Sequence, residues 1–241
     1  MKGLSKSRLT TLAVIALLPS FAKRSCYRWF FGYRIGKRVR IGLSIIDVQE
    51  CLIDDDVQIG HLNLIIRVKK LQMDDHVRIG HLNIIRGGDE VHLGRYAEII
   101  RMNEINSIAE PEVVNPTDPR FTLGAGAIVT AGHKIDFTDR VTIGRRSIIA
   151  GRNSSLWTHN RQRTRPINIG SFAYVGSEIR IAPGGSLPSN CIVGIGSVIT
   201  GELTDEGYLI AGVPAKAVKE LSQDDRFLIE RKTRIDLPDD V

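Results

Sequence analysis

Aliphatic residues recur every six positions along much of this chain, and few folds produce that period. Ile169, Val175, Ile181, Leu187, Val193 and Ile199 are six apart without a break, and Ile41, Ile53 and Ile59 keep the spacing with Asp47 in the missing step. A helix repeats every 3.6 residues and an ordinary strand every two, so a six-residue period implies three short strands per turn of a coil. Successive coils would stack as parallel strands about 4.8 Å apart. Each aliphatic then points into a triangular interior, and the glycine that often follows it is expected to supply a positive-φ corner. One coil cannot bury its own apolar face, so stacking makes the core. The expectation is an all-β parallel solenoid.

A coarser repeat supports this reading. Asp55 to Arg67 reads DDVQIGHLNLIIR and Asp75 to Arg86 reads DHVRIGHLNIIR, offset by 20 residues. The register is uneven: Ile79-Gly80 to Leu93-Gly94 is 14 residues and Leu123-Gly124 to Ile143-Gly144 is 20, so bulges or shortened turns are expected there. Two stretches break the period. Arg101 to Arg120 holds three prolines, and His159 to Pro166 reads HNRQRTRP. Loops that leave a rigid scaffold are where binding and chemistry concentrate. Beyond Gly201 the ladder ends, and a helix from about Ser222 to Lys232, carrying Phe227, Leu228 and Ile229, is expected to cap the last coil.

The 241 residues suit one domain with short appendages: an N-terminal helical segment over 1–35, the coil over 36–203 and a tail over 204–241. Three cysteines without a CxxC point to a reducing, cytoplasmic setting and not to a disulfide framework. The net charge is +6, and Lys23, Arg24, Arg28, Arg34, Lys37, Arg38 and Arg40 fall within 18 positions. Beside them runs LTTLAVIALLPSF (Leu9 to Phe21), whose apolar core from Leu12 to Leu18 is too short for the roughly 20 residues of a membrane span. Lys2, Lys6 and Arg8 precede it as in a signal peptide, but no clean small-residue cleavage site follows. Two readings stand side by side: peripheral contact of residues 9–40 with an anionic membrane face, or a hydrophobic cap with a solvated basic flank. No nucleic-acid-binding motif accompanies the basic cluster.

Residues 141–219 carry a resemblance. Leu156-Trp157-Thr158-His159 closes a coil before a variable loop, the unbroken hexads follow, and the stretch ends on AGVPAK (Ala211 to Lys216). In these features the chain resembles the hexapeptide-repeat acyltransferases, in particular the sugar O-acetyltransferases of the maltose, nodulation and colanic-acid type. That resemblance implies a left-handed β-helix with short helical caps, a homotrimer, acetyl-CoA as acyl donor, and a sugar or glycan acceptor in surface polysaccharide synthesis. An N-acyltransferase on an amino or nucleotide sugar, or a non-catalytic solenoid scaffold, are the alternatives.

Moving an acetyl group from a thioester to an alcohol needs a base for the hydroxyl proton, and neutral imidazole suits that task. His159 matches the family's catalytic histidine, with His133 in TAGHKIDF as its rival, whether as base or as sugar-binding partner. Asp136 is a candidate to orient an imidazole or contact substrate, or else a solvated surface acid. Carried over from the resemblance, Tyr174, Gly176, Ser177, Gly194 and Gly196 would line the acetyl-CoA wall, with Pro214, Ala215 and Lys216 near its phosphates. Arg161, Arg163 and Arg165 alternate in the loop after His159 and would meet a phosphate of a nucleotide or lipid carrier, or water alone. A zinc enzyme on the same helix would need an HxxxxH pair near His159, and none lies there. No metal is expected.

Overall fold

A computed structural model describes residues 6–241 and winds the ladder into a triangular coil. Three sheets, here A, B and C, form its sides, with eight strands stacked in A, eight in C and ten in B. The unbroken hexad visits the sides in turn. Ile169 lies beside Leu187 in A, Val175 beside Val193 in B, and Ile181 beside Ile199 in C. All six are buried in one continuous apolar column that also holds Ile65, Ile85, Ile105 and Ile135. The 20-residue repeat is the coil length, since Ile59 pairs with Ile79 and Ile65 with Ile85.

Three expectations change. The 14-residue step from Ile79 to Leu93 is a change of side and not a bulge. Ile79 stands in B opposite Ile99, and Leu93 stands in A opposite Met73. Coils of 20 residues gain their extra length at corners, where Leu62 and Arg67 take positive φ. Among the parallel coil-to-coil pairs one register shift does occur, between Val129 and Ala131 against the following coil. The core position near Asp47 belongs instead to Ile46, which is fully buried, while the Asp47 carboxylate takes a hydrogen bond from Arg8 Nε at 2.8 Å.

The glycines after the aliphatics also serve a different end. Gly60 and Gly144 do not have positive φ. A Cβ on Gly60 would lie 2.2 Å from the Gly80 carbonyl oxygen, and one on Gly144 2.5 Å from the Gly170 carbonyl carbon. Glycine is required there because the next coil's backbone occupies the side-chain space. At the A–B corner the left-handed backbone falls on non-glycine residues, Arg38, Asp56, His76, Tyr96, Arg146, Phe172 and Asn190, and Leu62, Leu82, Met102, Asn153 and Glu178 take it at the B–C corner. The strain, about 1 kcal/mol or more per residue, is offset by hydrogen bonds from coil to coil, such as His76 N–H to Asp55 O and Tyr96 N–H to Asp75 O, each 3.0 Å.

Two helices close the first coil: α1 (Lys6–Leu17) and α2 (Ser20–Phe31). Leu12, Ile15 and Tyr27 join the core cluster, and the Tyr27 hydroxyl accepts the Ile46 N–H at 3.3 Å. Lys23 is buried and donates to the Ile41 and Gly42 carbonyls. At the far end Tyr208–Gly212 adds to sheet B and pairs antiparallel with Ala215–Glu220. A third helix, α3 (Gln223–Glu230), starts at a Ser222–Asp225 capping box. The tail beyond it does not stay on the last coil as a cap. It runs back along the A–B corner, where Thr233 Oγ1 donates to Gly126 O at 2.6 Å and Arg234 Nη1 to the His76 and Tyr96 carbonyls at 3.0 Å. Successive corners present these carbonyls in a row, and a guanidinium satisfies two at once. Among the described residues no helix is long and apolar enough to cross a membrane.

Candidate active site

Both interruptions leave the coil at the C–A corner. The ladder persists through Glu104–Asn106, so the first loop is 107–119; the second, 158–166, follows Ser155–Trp157. The loops are stitched together. Val114 N–H donates to Gln162 O at 3.0 Å, Asn115 Nδ2 to Thr164 Oγ1 at 2.9 Å, and Thr164 N–H to Asn115 Oδ1 at 2.9 Å. At the same corner lies a groove of about 920 Å³, extending from Arg8 in α1 and Asp47 in the first coil past Arg67, Arg86, Asn106 and Lys134 to Trp157 and His159.

At the upper end of the groove His159 Nδ1 stands 2.7 Å from Asp136 Oδ2. Asp136 is buried, which corrects the reading of a solvated acid. Its two oxygens accept four further hydrogen bonds: from Thr138 N–H (3.2 Å) and Oγ1 (2.6 Å), and from Thr158 N–H (3.1 Å) and Oγ1 (2.9 Å). With so many donors converging, the carboxylate is fixed in place, and its remaining contact selects the imidazole tautomer with a proton on Nδ1. Nε2 is then left with its lone pair, and no group of the chain bonds to it among the described residues. The first loop reaches this arrangement through Ile108 N–H, which donates to Thr138 Oγ1 at 3.0 Å.

His133 is placed otherwise. Along the B–C corner runs a buried ladder in which each side chain accepts the next residue's N–H: Asn63 to Asn83, Asn83 to Asn103, and Asn103 to His133, at 2.9–3.0 Å. His133 continues it, its Nδ1 accepting the Ser154 N–H at 3.1 Å while Nε2 lies 3.0 Å from Thr130 Oγ1. Burial pushes its pKa down to about 4. The ring is enclosed and both nitrogens are engaged, so His133 is a rung of the fold, and a side of the triangle separates it from His159.

No protein-family model matches the chain. Over 61 residues, 25% of this chain, it is 33% identical to the galactoside O-acetyltransferase of Escherichia coli (strain K12), of whose length that match spans 30%. Solved structures that share the fold include the following two. One is the polySia-specific acetyltransferase NeuO, with a TM-score of 0.53 and 21% identity over 78% of this chain and 85% of that one. The other is the UDP-N-acetylglucosamine acyltransferase from Campylobacter jejuni, with a TM-score of 0.51 and 16% identity over 82% and 77%. At these identities the likeness is one of fold. The fold they share with this chain is the left-handed parallel β-helix of hexapeptide repeats.

On this hexapeptide-repeat fold, the residues singled out for acetyl-CoA gather away from the dyad. Tyr174 faces outward on sheet B, and Gly176, Ser177, Gly194 and Gly196 form the B–C corner of the last coils. Pro214 sits in the hairpin turn, with Ala215 buried and Lys216 exposed on its second strand. His159 is at the C–A corner, so one full side of the triangle lies between it and this wall. Arg161, Arg163 and Arg165 are exposed and do not line the groove. Arg163 and Arg165 border a shallow depression with Ala182 and Pro183 instead. Beside Arg8, the cations that do line the groove are Arg67, Lys69, Arg86 and Lys134, and these four were not singled out in the sequence. Their signal was the coil register, which stacks Arg86 two coils below Asp136 through Asn106. His61 and His81 stack face to face at 5.5 Å, and among the described residues no group of three or more His, Cys, Asp or Glu is arranged to hold a metal ion.

Proposed function

We propose that the protein is an acetyl-CoA-dependent O-acetyltransferase acting on a sugar hydroxyl of a glycan. The observation that carries the reading is the His159–Asp136 pair at the head of an open groove, with Nε2 unengaged. Nε2 takes the acceptor's hydroxyl proton as the oxygen attacks the thioester carbonyl. A C–O bond forms, the tetrahedral oxyanion collapses, the C–S bond breaks, and the imidazolium returns its proton to the departing CoA sulfur as thiol. Asp136 holds the ring in the tautomer this requires and steadies the imidazolium. The match to a galactoside O-acetyltransferase supports an alcohol acceptor.

The separation of Tyr174, Gly194 and Lys216 from His159 within one chain supports a shared site, in which a neighbouring copy lends its acetyl-CoA wall to the dyad. A homotrimer is the closed arrangement that does this equally for every copy. The three unpaired cysteines support a cytoplasmic setting, and a role in surface polysaccharide synthesis follows from a glycan acceptor.

The test is transfer from acetyl-CoA to a panel of glycans, read as thiol release and as acetyl ester by mass spectrometry. Ester formation by the natural chain, lost in His159→Ala, is expected. Acetylation on nitrogen would move the reading to an amino-sugar acceptor. Thiol release that survives unchanged in His159→Ala would remove the dyad from the chemistry.

A further inference from the structure

The coil's first end is capped in an unusual way. A capping element normally turns a polar face to water, because its inner face alone is needed to cover the core. Here α1 and α2 spend Leu12, Ile15 and Tyr27 on the coil and leave a second apolar set outside. Trp29 is 89% exposed, Leu17 77%, Phe30 73% and Phe21 68%, with Val14 beside them. Among the described residues nothing covers these groups.

Charge is distributed to match. From Met1 to Ile46 the chain has ten Lys and Arg and no Asp or Glu, whereas the remainder has 23 Lys and Arg against 27 Asp and Glu. The basic side chains lie among the apolar ones: Phe21, Arg24, Arg38 and Arg40 border one surface depression. Arg34, Lys37 and Arg40 are exposed and hold no ion pair among the described residues. Each helix has 12 residues, about 18 Å, too short to cross a bilayer but suited to lying in its interface. Aromatic anchors flanked by cations favour an anionic lipid surface over a neutral one.

We propose that the α1–α2 end of the coil docks on an anionic membrane, with Leu17, Phe21, Trp29 and Phe30 inserted at the headgroup level and Arg24, Arg34, Lys37 and Arg40 against the lipid phosphates. The groove begins at this end and follows the stack of coils to His159. The strand before His159 lies five coil steps above the first coil, or about 24 Å. If the acetyl-transfer reading above holds, the hydroxyl modified is therefore displayed well clear of the lipid, on a glycan chain anchored in the same membrane.

The test is co-sedimentation of the full chain with vesicles of phosphatidylcholine alone or mixed with phosphatidylglycerol, and it does not depend on activity. Pelleting with the anionic vesicles only, weakened by raised salt, is expected. Trp29→Ser with Phe30→Ser should lower the partition coefficient at least about tenfold, and Arg24→Glu with Lys37→Glu should abolish the preference for anionic lipid. Trp29, Phe30 and Lys37 are exposed and Arg24 is half-buried outside the core cluster, so both variants should keep the unfolding temperature of the natural chain, which is measured alongside. Equal pelleting with neutral and anionic vesicles, or none with either, overturns the proposal. So does a Trp29→Ser, Phe30→Ser variant that falls apart from oligomer to monomer by light scattering, since the face would then be an interface between copies.

Discussion

His133 and His159 stand at opposite ends of neighbouring strands in sheet C, and their difference explains what makes one histidine a reagent. His133 enters its strand from the B–C corner, enclosed, with Nδ1 accepting Ser154 N–H and Nε2 at Thr130. His159 leaves its strand at the C–A corner, partly exposed, with Nδ1 on Asp136 and, among the described residues, nothing on Nε2. Burial alone does not divide them; the count of free ring nitrogens does. A base needs one nitrogen fixed so that the other is aimed, and a ring with both fixed can only hold structure.

The sharpest way to break this comparison is to remove each ring in turn and read rate against stability. His159→Ala should lower kcat by about 10²–10⁴-fold and leave the unfolding midpoint nearly unchanged. His133→Asn should leave kcat within about twofold, because asparagine is what the equivalent rungs at 63, 83 and 103 already carry. Equal rate losses in the two variants would end the distinction. Asp136→Asn comes next in size. Its amide nitrogen would face donors or turn the ring to the wrong tautomer, so kcat should fall by about 10²-fold or more with little change in acceptor KM. The same variant should also lower the unfolding midpoint, since a side chain that accepts five hydrogen bonds loses acceptor capacity.

Stability separates the pair in the other direction. His133→Leu leaves Ser154 N–H buried without an acceptor and should cost about 1–3 kcal/mol, measured by urea unfolding, with His133→Asn recovering most of it. Acid should expose the same feature. The folded ring has its pKa lowered from 6.5 to about 4 by burial. As pH falls below 6.5 the unfolded chain therefore binds the proton first, and stability declines down to about pH 4 and then levels off. Between pH 7 and pH 5 the natural chain should lose more stability than His133→Asn, by an amount on the order of 1–2 kcal/mol. Identical pH slopes would show that the ring is not held neutral by the ladder.

The contrast also shows how far the sequence could be read. The hexad is a local signal, so Ile169 to Ile199 announce three sides and a core before any coordinate is known. The 20-residue repeat, in turn, foretells the register of Ile59 on Ile79. The pairing of His159 with Asp136 was not legible in the same way. It joins residues 23 apart across one coil step, and the coil lengths vary because corners absorb extra residues and two loops depart. The glycines misled for a related reason. A glycine after an aliphatic fits a positive-φ corner and a crowded backbone contact equally well, and only the coil above Gly60 decides between them. Asp47 kept the six-residue spacing without facing the core, since Ile46 takes the inward place beside it.

The smallest expected effect tests whether the dyad works alone. Lys216 lies on the hairpin's second strand, exposed, a side of the triangle away from His159. If a neighbouring copy brings this wall to the dyad, Lys216 meets acetyl-CoA phosphates as a solvated point charge, which is worth about 1 kcal/mol or less. Lys216→Ala should then raise the KM for acetyl-CoA by about three- to fivefold at low salt, with kcat and acceptor KM unchanged, and the difference should shrink as salt screens the charge. A KM effect that also fades when the oligomer is diluted apart would tie the wall to the partner's dyad. An unchanged KM at low salt would place the donor elsewhere, and the groove below His159, with Arg67, Arg86 and Lys134, would be the next surface to probe.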